Sequence, residues 1–446
     1  MRPIIALIGR TNVGKSSLFN RLSRGGKSLV DDSPGVTRDR LYGELSLDGK
    51  SGLLVDTGGF DFAKEDPIAG PIAAQILAAL AECDLAVFVV DGASGPHPWD
   101  QTIRDLILKS RKPALVAVNK IDGPDREQGV LEFLGLGLER VFGVSAAHGY
   151  GLDEFRGALA EYLEPEEEAP RDRDAPPRIA VIGRPNAGKS SMINTLLGQN
   201  RLLVDPRPGT TRDAVDVELM AGDKKYVLVD TAGVRRRGRI SLKLEKFSVI
   251  RSLRAIDRAD VALSLIDATL GLSDQDAHIA GYAFEKGKPV IFLLNKWDAV
   301  SDKEERRAQF AKDLSLKMTF LEKSPWFTVS GLRGQGLKRI FPLVDRIMLQ
   351  YTYEASTSEV NKALEKATAA HGPPAVGKTR LKFFYATQVA TRPPSFVLFA
   401  NRPQSVHFSY RRFLINRFKE TFGLDLVPIK LFIKSRHEDR PGGGKK

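Results

Sequence analysis

At 446 residues the chain exceeds what one ordinary hydrophobic core supports, so two or three domains are expected; 42% hydrophobic and 27% charged residues exclude a disordered protein, and no apolar run approaches the ~18 residues that cross a bilayer. The net charge of +12 is uneven: residues 1–164 are net acidic, while 177–350 and 351–446 carry the basic surplus, which points to a polyanionic partner for the later two thirds. A single cysteine, Cys83, excludes an internal disulfide and a cysteine-based zinc site. Beside the apolar run 85–90 it reads as a small buried hydrophobe, and a start too brief for a signal peptide completes the expectation of a cytoplasmic protein.

The first element is an apolar strand, residues 3–8, running into GRTNVGKS (9–16) and then a helical stretch, the context that makes G-x-x-x-x-G-K-[ST] credible as a phosphate loop. Gly9, Arg10, Thr11, Asn12, Val13, Gly14, Lys15, Ser16 and Ser17 are its expected nucleotide contacts. Gly14 lets backbone amides turn toward the phosphates at the positive end of the helix dipole. Lys15 reaches the β- and γ-phosphates, and the Ser16 hydroxyl is placed for Mg²⁺. PGVTRD (34–39) follows as a switch loop, in which Thr37 closes over the γ-phosphate and gives Mg²⁺ a second hydroxyl.

Next, DTGG (56–59) ends a strand: Asp56 holds Mg²⁺ through water, Thr57 and Gly58 line the nucleotide, and the Gly59 amide faces the γ-phosphate. Two further apolar strands lead to NKID (119–122), where Asn119 and Lys120 frame the base and the Asp122 carboxylate accepts from guanine N1 and N2. Adenine offers nothing that matches those acceptors, so ATP is rejected. Ser145 and Ala146 complete the base pocket. Strands written as continuous apolar runs separated by helical lengths indicate a parallel sheet covered on both faces.

EPEEEAPRDRDAPP (164–177) has no apolar periodicity and reads as a solvated linker. Beyond it the whole pattern recurs, with the intervals Gly9–Thr37 and Gly9–Asp56 matched by Gly183–Thr211 and Gly183–Asp230, which argues for duplication of a domain. GRPNAGKS supplies Gly183, Arg184, Pro185, Asn186, Ala187, Gly188, Lys189 and Ser190, with Ser191 after it. PGTTRD (208–213) supplies Thr211 as the second switch hydroxyl. DTAG supplies Asp230, Thr231, Ala232 and Gly233. NKWD supplies Asn295, Lys296 and Asp298, and Ser330 with Gly331 closes the second base pocket. The expected catalytic set is therefore Lys15, Thr37 and Gly59 in one copy and Lys189, Thr211 and Gly233 in the other; Ser190, Thr211 and Asp230 repeat the Mg²⁺ ligands.

A Ras-like enzyme orients water with a glutamine after D-x-x-G. Here those positions are Phe60 and Val234, which polarise nothing. Two explanations stand: a slow enzyme that waits for a partner, or one that uses another charge. Asn12 and Asn186 are placed to hold K⁺ beside the phosphates, where it stabilises developing charge, or else they only fix the loop geometry.

After residue 350 the reading changes to α-β-β-α-β: a helix over 357–370, strands at 381–389 and 396–400, a helix near 409–422 and a strand at 429–433. Basic and aromatic residues alternate at 382–385 and 409–413, which suits RNA phosphates and bases, although Phe383, Tyr385, Phe396 and Phe413 are each expected to serve the core. The expected division is a first domain at 1–163, the linker 164–177, a second domain at 178–350, a third at 351–436 and a disordered tail at 437–446.

The two motif sets, the stretch DTAGVRRRGRISLKLEKFSVIRSLRAIDRADV and the C-terminal FFYATQVATRPPSFVLFANRP together resemble the bacterial Der (EngA) family of double-Era-like GTPases across essentially the whole chain. The resemblance implies two tandem Ras-like P-loop GTPase domains, each a mostly parallel doubly wound α/β sheet, plus a C-terminal α+β KH-like domain. It also implies a monomer that binds GTP and Mg²⁺, hydrolyses GTP with K⁺ stimulation through Asn12 and Asn186, and avoids membranes. Its implied partner is the large (50S) ribosomal subunit and its rRNA, bound according to nucleotide state during subunit assembly. Arg235, Arg236, Arg237 and Arg239, just after Gly233, read either as a solvated charged face or as an rRNA contact that switches with nucleotide state. Thr11 stands where the family has Pro, and Gly331 where it has Ala; the stretch HFS (407–409) lacks the G-x-x-G clamp of RNA-binding KH domains. Two other readings are a slow-turnover, nucleotide-regulated RNA-binding module and a GTPase partner in tRNA modification. The second would pair one GTPase domain with a cofactor module, where this chain has another copy.

Overall fold

A computed structural model describes residues 2–23, 42–56, 71–165, 175–199, 201–203, 216–230, 248–373, 375–376 and 379–435. The switch segments 34–39, 57–60, 208–213 and 231–234, the arginines 235–239, most of the linker and the tail lie outside them. The chain forms two compact units, one built on the first repeat and one on the second repeat with the C-terminal segment.

In the first unit the chain order is β1 (Ile4–Ile8), α1 (Lys15–Leu22), β2 (Tyr42–Leu47), β3 (Lys50–Asp56), α2 (Pro71–Glu82) and β4 (Leu85–Asp91). Then come α3 (Pro98–Ser110), β5 (Ala114–Asn119), the short α4 (Gln128–Leu131), β6 (Val141–Gly143), α5 (Leu152–Ala160) and β7 (Glu164–Pro165). The sheet order is β2-β3-β1-β4-β5-β6, parallel except for β2, and β7 adds antiparallel to β3. Every residue of β1 and β4 is buried, because helices cover both faces. β1, β3, β4 and β5 all deliver their carboxyl ends to one edge of the sheet, the edge where doubly wound folds bind ligands. Cys83 is fully buried, as expected. The start of the linker is not free chain: Glu164 and Pro165 pair with Ser51 and Lys50.

The second unit repeats the plan with β8 (Arg178–Ile182), α6 (Lys189–Gln199), β9 (Arg201–Leu203), β10 (Val217–Ala221), β11 (Lys224–Val229) and α7 (Ser248–Arg258). It continues through β12 (Val261–Asp267), α8 (Asp274–Glu285), β13 (Val290–Asn295), α9 (Lys303–Lys317), β14 (Trp326–Thr328) and α10 (Ile340–Tyr351). Strand order β14-β13-β12-β8-β11-β10 matches the first sheet position for position, with β9 added at the edge.

The C-terminal segment has α11 (Thr357–Ala370), a small β15 (Ala375–Val376) and β16 (Thr379–Arg380) hairpin, β17 (Phe383–Ala390), β18 (Ser395–Ala400), α12 (Phe408–Phe422) and β19 (Lys430–Ser435). β18 is central, antiparallel to β17 and parallel to β19. Phe396 is fully buried, and Phe383 and Phe413 pack against the core as expected, but Tyr385 does not: it is 41% exposed. A bulge between Phe383 and Tyr385 shifts the strand register, so the period-2 alternation that would have aligned both rings breaks there. Among the described residues no helix is long and apolar enough to cross a membrane.

One continuous buried cluster runs from Ile179 and Leu263 through Phe341, Ile347 and Tyr351 to Leu398, Phe418 and Leu431, so the second repeat and the C-terminal segment share a core. The Tyr351 hydroxyl, buried, donates to the Gly287 carbonyl at 2.9 Å. Gly287 (φ 75°) admits no side chain, since a Cβ would lie 2.6 Å from Pro393. Lys419 sits in this unit with its pKa pushed down to about 8 by burial first and by the nearby Lys323 second, against the opposing pull of Asp425. A lysine lowered from about 10.4 binds fewer protons folded than unfolded between those two values. Stability is therefore expected to rise as pH climbs from about 8 toward 10. Lys419→Met should raise the melting temperature at pH 7 by a few degrees and flatten this rise, read by thermal melts across pH.

Candidate functional site

Each sheet's carboxyl edge carries one copy of the site. In the first, β1 ends at Ile8 and the loop 9–14 turns over the start of α1, with Asn12 (φ 65°) and Gly14 (φ 90°) both left-handed. Gly14 is obligatory, because a Cβ there would lie 2.2 Å from the Asn119 amide nitrogen. In the second copy Asn186 (φ 63°) and Gly188 (φ 94°) repeat the conformation, and a Cβ on Gly188 would lie 2.3 Å from Asn295. Both asparagines therefore hold the same left-handed turn, a conformation that asparagine adopts more readily than most residues.

Lys15 is buried, and its ammonium donates to the carbonyls of Gly9 at 2.9 Å and Arg10 at 2.5 Å. Burial pushes its pKa down, partly countered by the Asp56 carboxylate. Lys189 makes the same two bonds, to Gly183 at 2.7 Å and Arg184 at 2.8 Å. Each lysine is thus folded onto its own loop.

The Ser16 hydroxyl donates to Asp56 at 2.7 Å, so a hydroxyl and a carboxylate of the expected Mg²⁺ set converge. Hard oxygen donors of this kind fit Mg²⁺. The second copy is arranged differently. Asp230 (φ 53°) donates its amide to Asp216 at 3.2 Å; its carboxyl pKa is raised by burial and held back chiefly by Arg251 and Arg258. Asp216 also takes Arg178 and Arg258. Asn12 and Asn186 are exposed, and their amide oxygens suit a hard monovalent cation. Thr37, Gly59, Thr211 and Gly233, with Thr57, Gly58, Phe60, Thr231, Ala232 and Val234, lie outside the described residues.

The base end is tied to the phosphate end by the asparagines. Asn119 donates to the Val13 carbonyl at 2.8 Å and accepts from the Ala146 amide at 3.0 Å. Asn295 donates to Ala187 at 2.7 Å and accepts from Gly331 at 2.7 Å. Gly331 supplies this amide, and a Cβ there would lie 3.0 Å from Met192, a tight fit. The Ser145 hydroxyl donates to Asp122 at 2.8 Å; the Ser330 hydroxyl, chiefly, holds the Asp298 carboxyl below the usual range.

Sequence reasoning missed several partners. Lys120 and Lys296, both left-handed, each donate at 2.6 Å to a strand-end carboxylate, Asp91 and Asp267. Burial alone would raise those carboxyl pKa values, but the lysine bonds and local amide or hydroxyl donors bring them below the usual range. Arg126 reaches Asp122 at 3.1 Å, and Arg333 reaches Asp298 at 3.4 Å. Arg10 donates to the fully buried Asp100 at 2.9 Å.

Two family models match: one described as 50S ribosome-binding GTPase over residues 4–120 and 178–296, and one described as the KH-domain-like C-terminal part of EngA bacterial GTPase enzymes over 355–434. The GTPase Der of Syntrophobacter fumaroxidans is 46% identical, covering 99% of both chains. That of Geotalea daltonii is 44% identical over 99% of this chain and all of its own. Among solved structures, Era in complex with MgGDPNP and a 16S ribosomal RNA segment aligns with 59% of this chain and 94% of its own, at 20% identity and a TM-score of 0.29.

Proposed function

This chain belongs to the GTPase Der family, and from that membership we propose that it is a GTP-hydrolysing switch for assembly of the large (50S) ribosomal subunit, acting in the cytoplasm as a monomer. The observation that carries the reading is the second anion cradle, its lysine bonded to the same two loop carbonyls on a second sheet of the same strand order. On this reading the loop amides and Lys15 or Lys189 grip the β- and γ-phosphates, and Thr37 or Thr211 closes over the last of them. The amides of Gly59 and Gly233 sense its presence. Asp122 and Asp298 select guanine. Ser16, Thr37 and Asp56, and Ser190, Thr211 and Asp230, would hold Mg²⁺; the bound ion neutralises charge on the phosphate oxygens. Asn12 and Asn186 would place K⁺ beside the same oxygens, substituting for the absent glutamine.

The basic later two thirds, including the C-terminal domain, would meet rRNA through surface charge, with affinity set by nucleotide state. Residues 1–163, 178–350 and 351–436 serve as the working domains. Phosphate release is expected with GTP, faster in K⁺ than in Na⁺, together with co-sedimentation on large-subunit particles that depends on GTP. Turnover without any nucleotide-dependent particle binding would sink the assembly role while leaving the GTPase.

A further inference from the structure

Behind each phosphate loop lies a feature that neither nucleotide chemistry nor helix capping explains. The second residue of each loop is an arginine whose side chain meets the start of the helix that follows the neighbouring strand of the sheet, α3 after β4 and α8 after β12. Arg10 Nε donates to Asp100 Oδ1 at 2.9 Å, and Asp100 Oδ2 accepts the His97 amide at 3.0 Å, so one carboxylate closes the helix cap and clasps the loop. In the second copy Asp276 accepts the Ser273 amide at 3.1 Å and stands 3.6 Å from Arg184 Nε, while Arg184 Nη2 donates to the Gly271 carbonyl at 2.9 Å.

Capping alone does not call for this. The chain holds a third box of the same kind, Ser356 with Glu359 on α11, and there the acid is exposed and takes only the Ser356 amide and hydroxyl. Asp100 and Asp276 are fully buried, and burying a carboxylate is unfavourable unless a cation meets it. Arg10 Nη2 and Arg184 Nε are buried with no hydrogen-bond partner among the described residues. The carbonyl of the clasped arginine is moreover one of the two that receive the loop lysine.

We propose that Asp100 and Asp276 are positioning residues for the nucleotide: through Arg10 and Arg184 they fix the loop backbone that presents amides and lysine to the phosphates. The inference rests on the reading of these loops as GTP sites. The clasp is direct in the first copy and stretched in the second, so its removal costs the first site more. It acts on the pre-formed loop and hence on binding of GTP and GDP alike, with little effect on the chemical step.

The test uses the full chain, with Lys189→Ala silencing the second site when the first is measured and Lys15→Ala for the reverse. Asp100→Asn keeps an acceptor for the His97 amide and loses the arginine. It should raise the first site's KM for GTP and Kd for GDP about tenfold, as expected for a hydrogen bond to a charged group, with kcat changing less than threefold. Asp276→Asn should do the same more weakly at the second site. Arg10→Gln, which leaves the cap intact, should match Asp100→Asn, and the double variant should be no worse than either single one. Glu359→Gln, a cap change alone, should lower the melting temperature without moving either KM. Should Asp100→Asn cost stability but not affinity, or should the Arg10 and Asp100 losses simply add, the positioning role is overturned. A wild-type chain that retains no guanine nucleotide would overturn the underlying reading instead.

Discussion

Lys15→Ala is expected to silence the first site and Lys189→Ala the second, each lowering phosphate release from its own site by ~10²–10³-fold, the scale of losing one pre-organised charge at a developing oxyanion. The side chains are held in place for it. Each ammonium is parked on two carbonyls of its own loop, where Lys15 is also buried and its charge correspondingly under-solvated. A triphosphate offers that charge a far stronger partner than neutral carbonyls do. Single-site nucleotide binding and turnover, measured on each variant separately, apportion the work between the copies. If both variants hydrolyse GTP as the wild type does, the loops are not the catalytic cradles.

Asp122→Asn and Asp298→Asn should each exchange guanine for xanthine at one site. The carboxylate accepts two hydrogens from guanine; an amide presents a donor where guanine also has one, while xanthine has an oxygen there. Discrimination by a site built to hydrogen-bond its substrate reaches on the order of 10⁴-fold. GTP affinity at the altered site should fall by that order, and XTP should bind in its place. Ser145 and Ser330 continue to orient the new amide, since they bond the existing carboxyl. Competition titrations with GTP, XTP and ATP decide it, and an unchanged preference for GTP would show that base choice lies elsewhere.

The loops, the strand-end motifs and the duplication were legible because they are local: glycines at fixed offsets between an apolar strand and a helix. The clasping acids were not, because Asp100 meets Arg10 and Asp91 meets Lys120 only after the chain has crossed the sheet. One signal was available. The interval from Asp91 to Asp100 recurs between Asp267 and Asp276, and comparing the repeats outside their known motifs would have exposed both pairs. Tyr385 was misplaced because a bulge leaves no trace in hydrophobic alternation.

The hydroxyl of Tyr351 grips the turn that leads into β13, and β13 ends at Asn295. The C-terminal segment meets the same turn: Pro393 fills the space beside Gly287, and the Arg392 amide donates to the Tyr351 carbonyl at 2.9 Å. A seam at 350 that looks severable in composition is therefore bonded across.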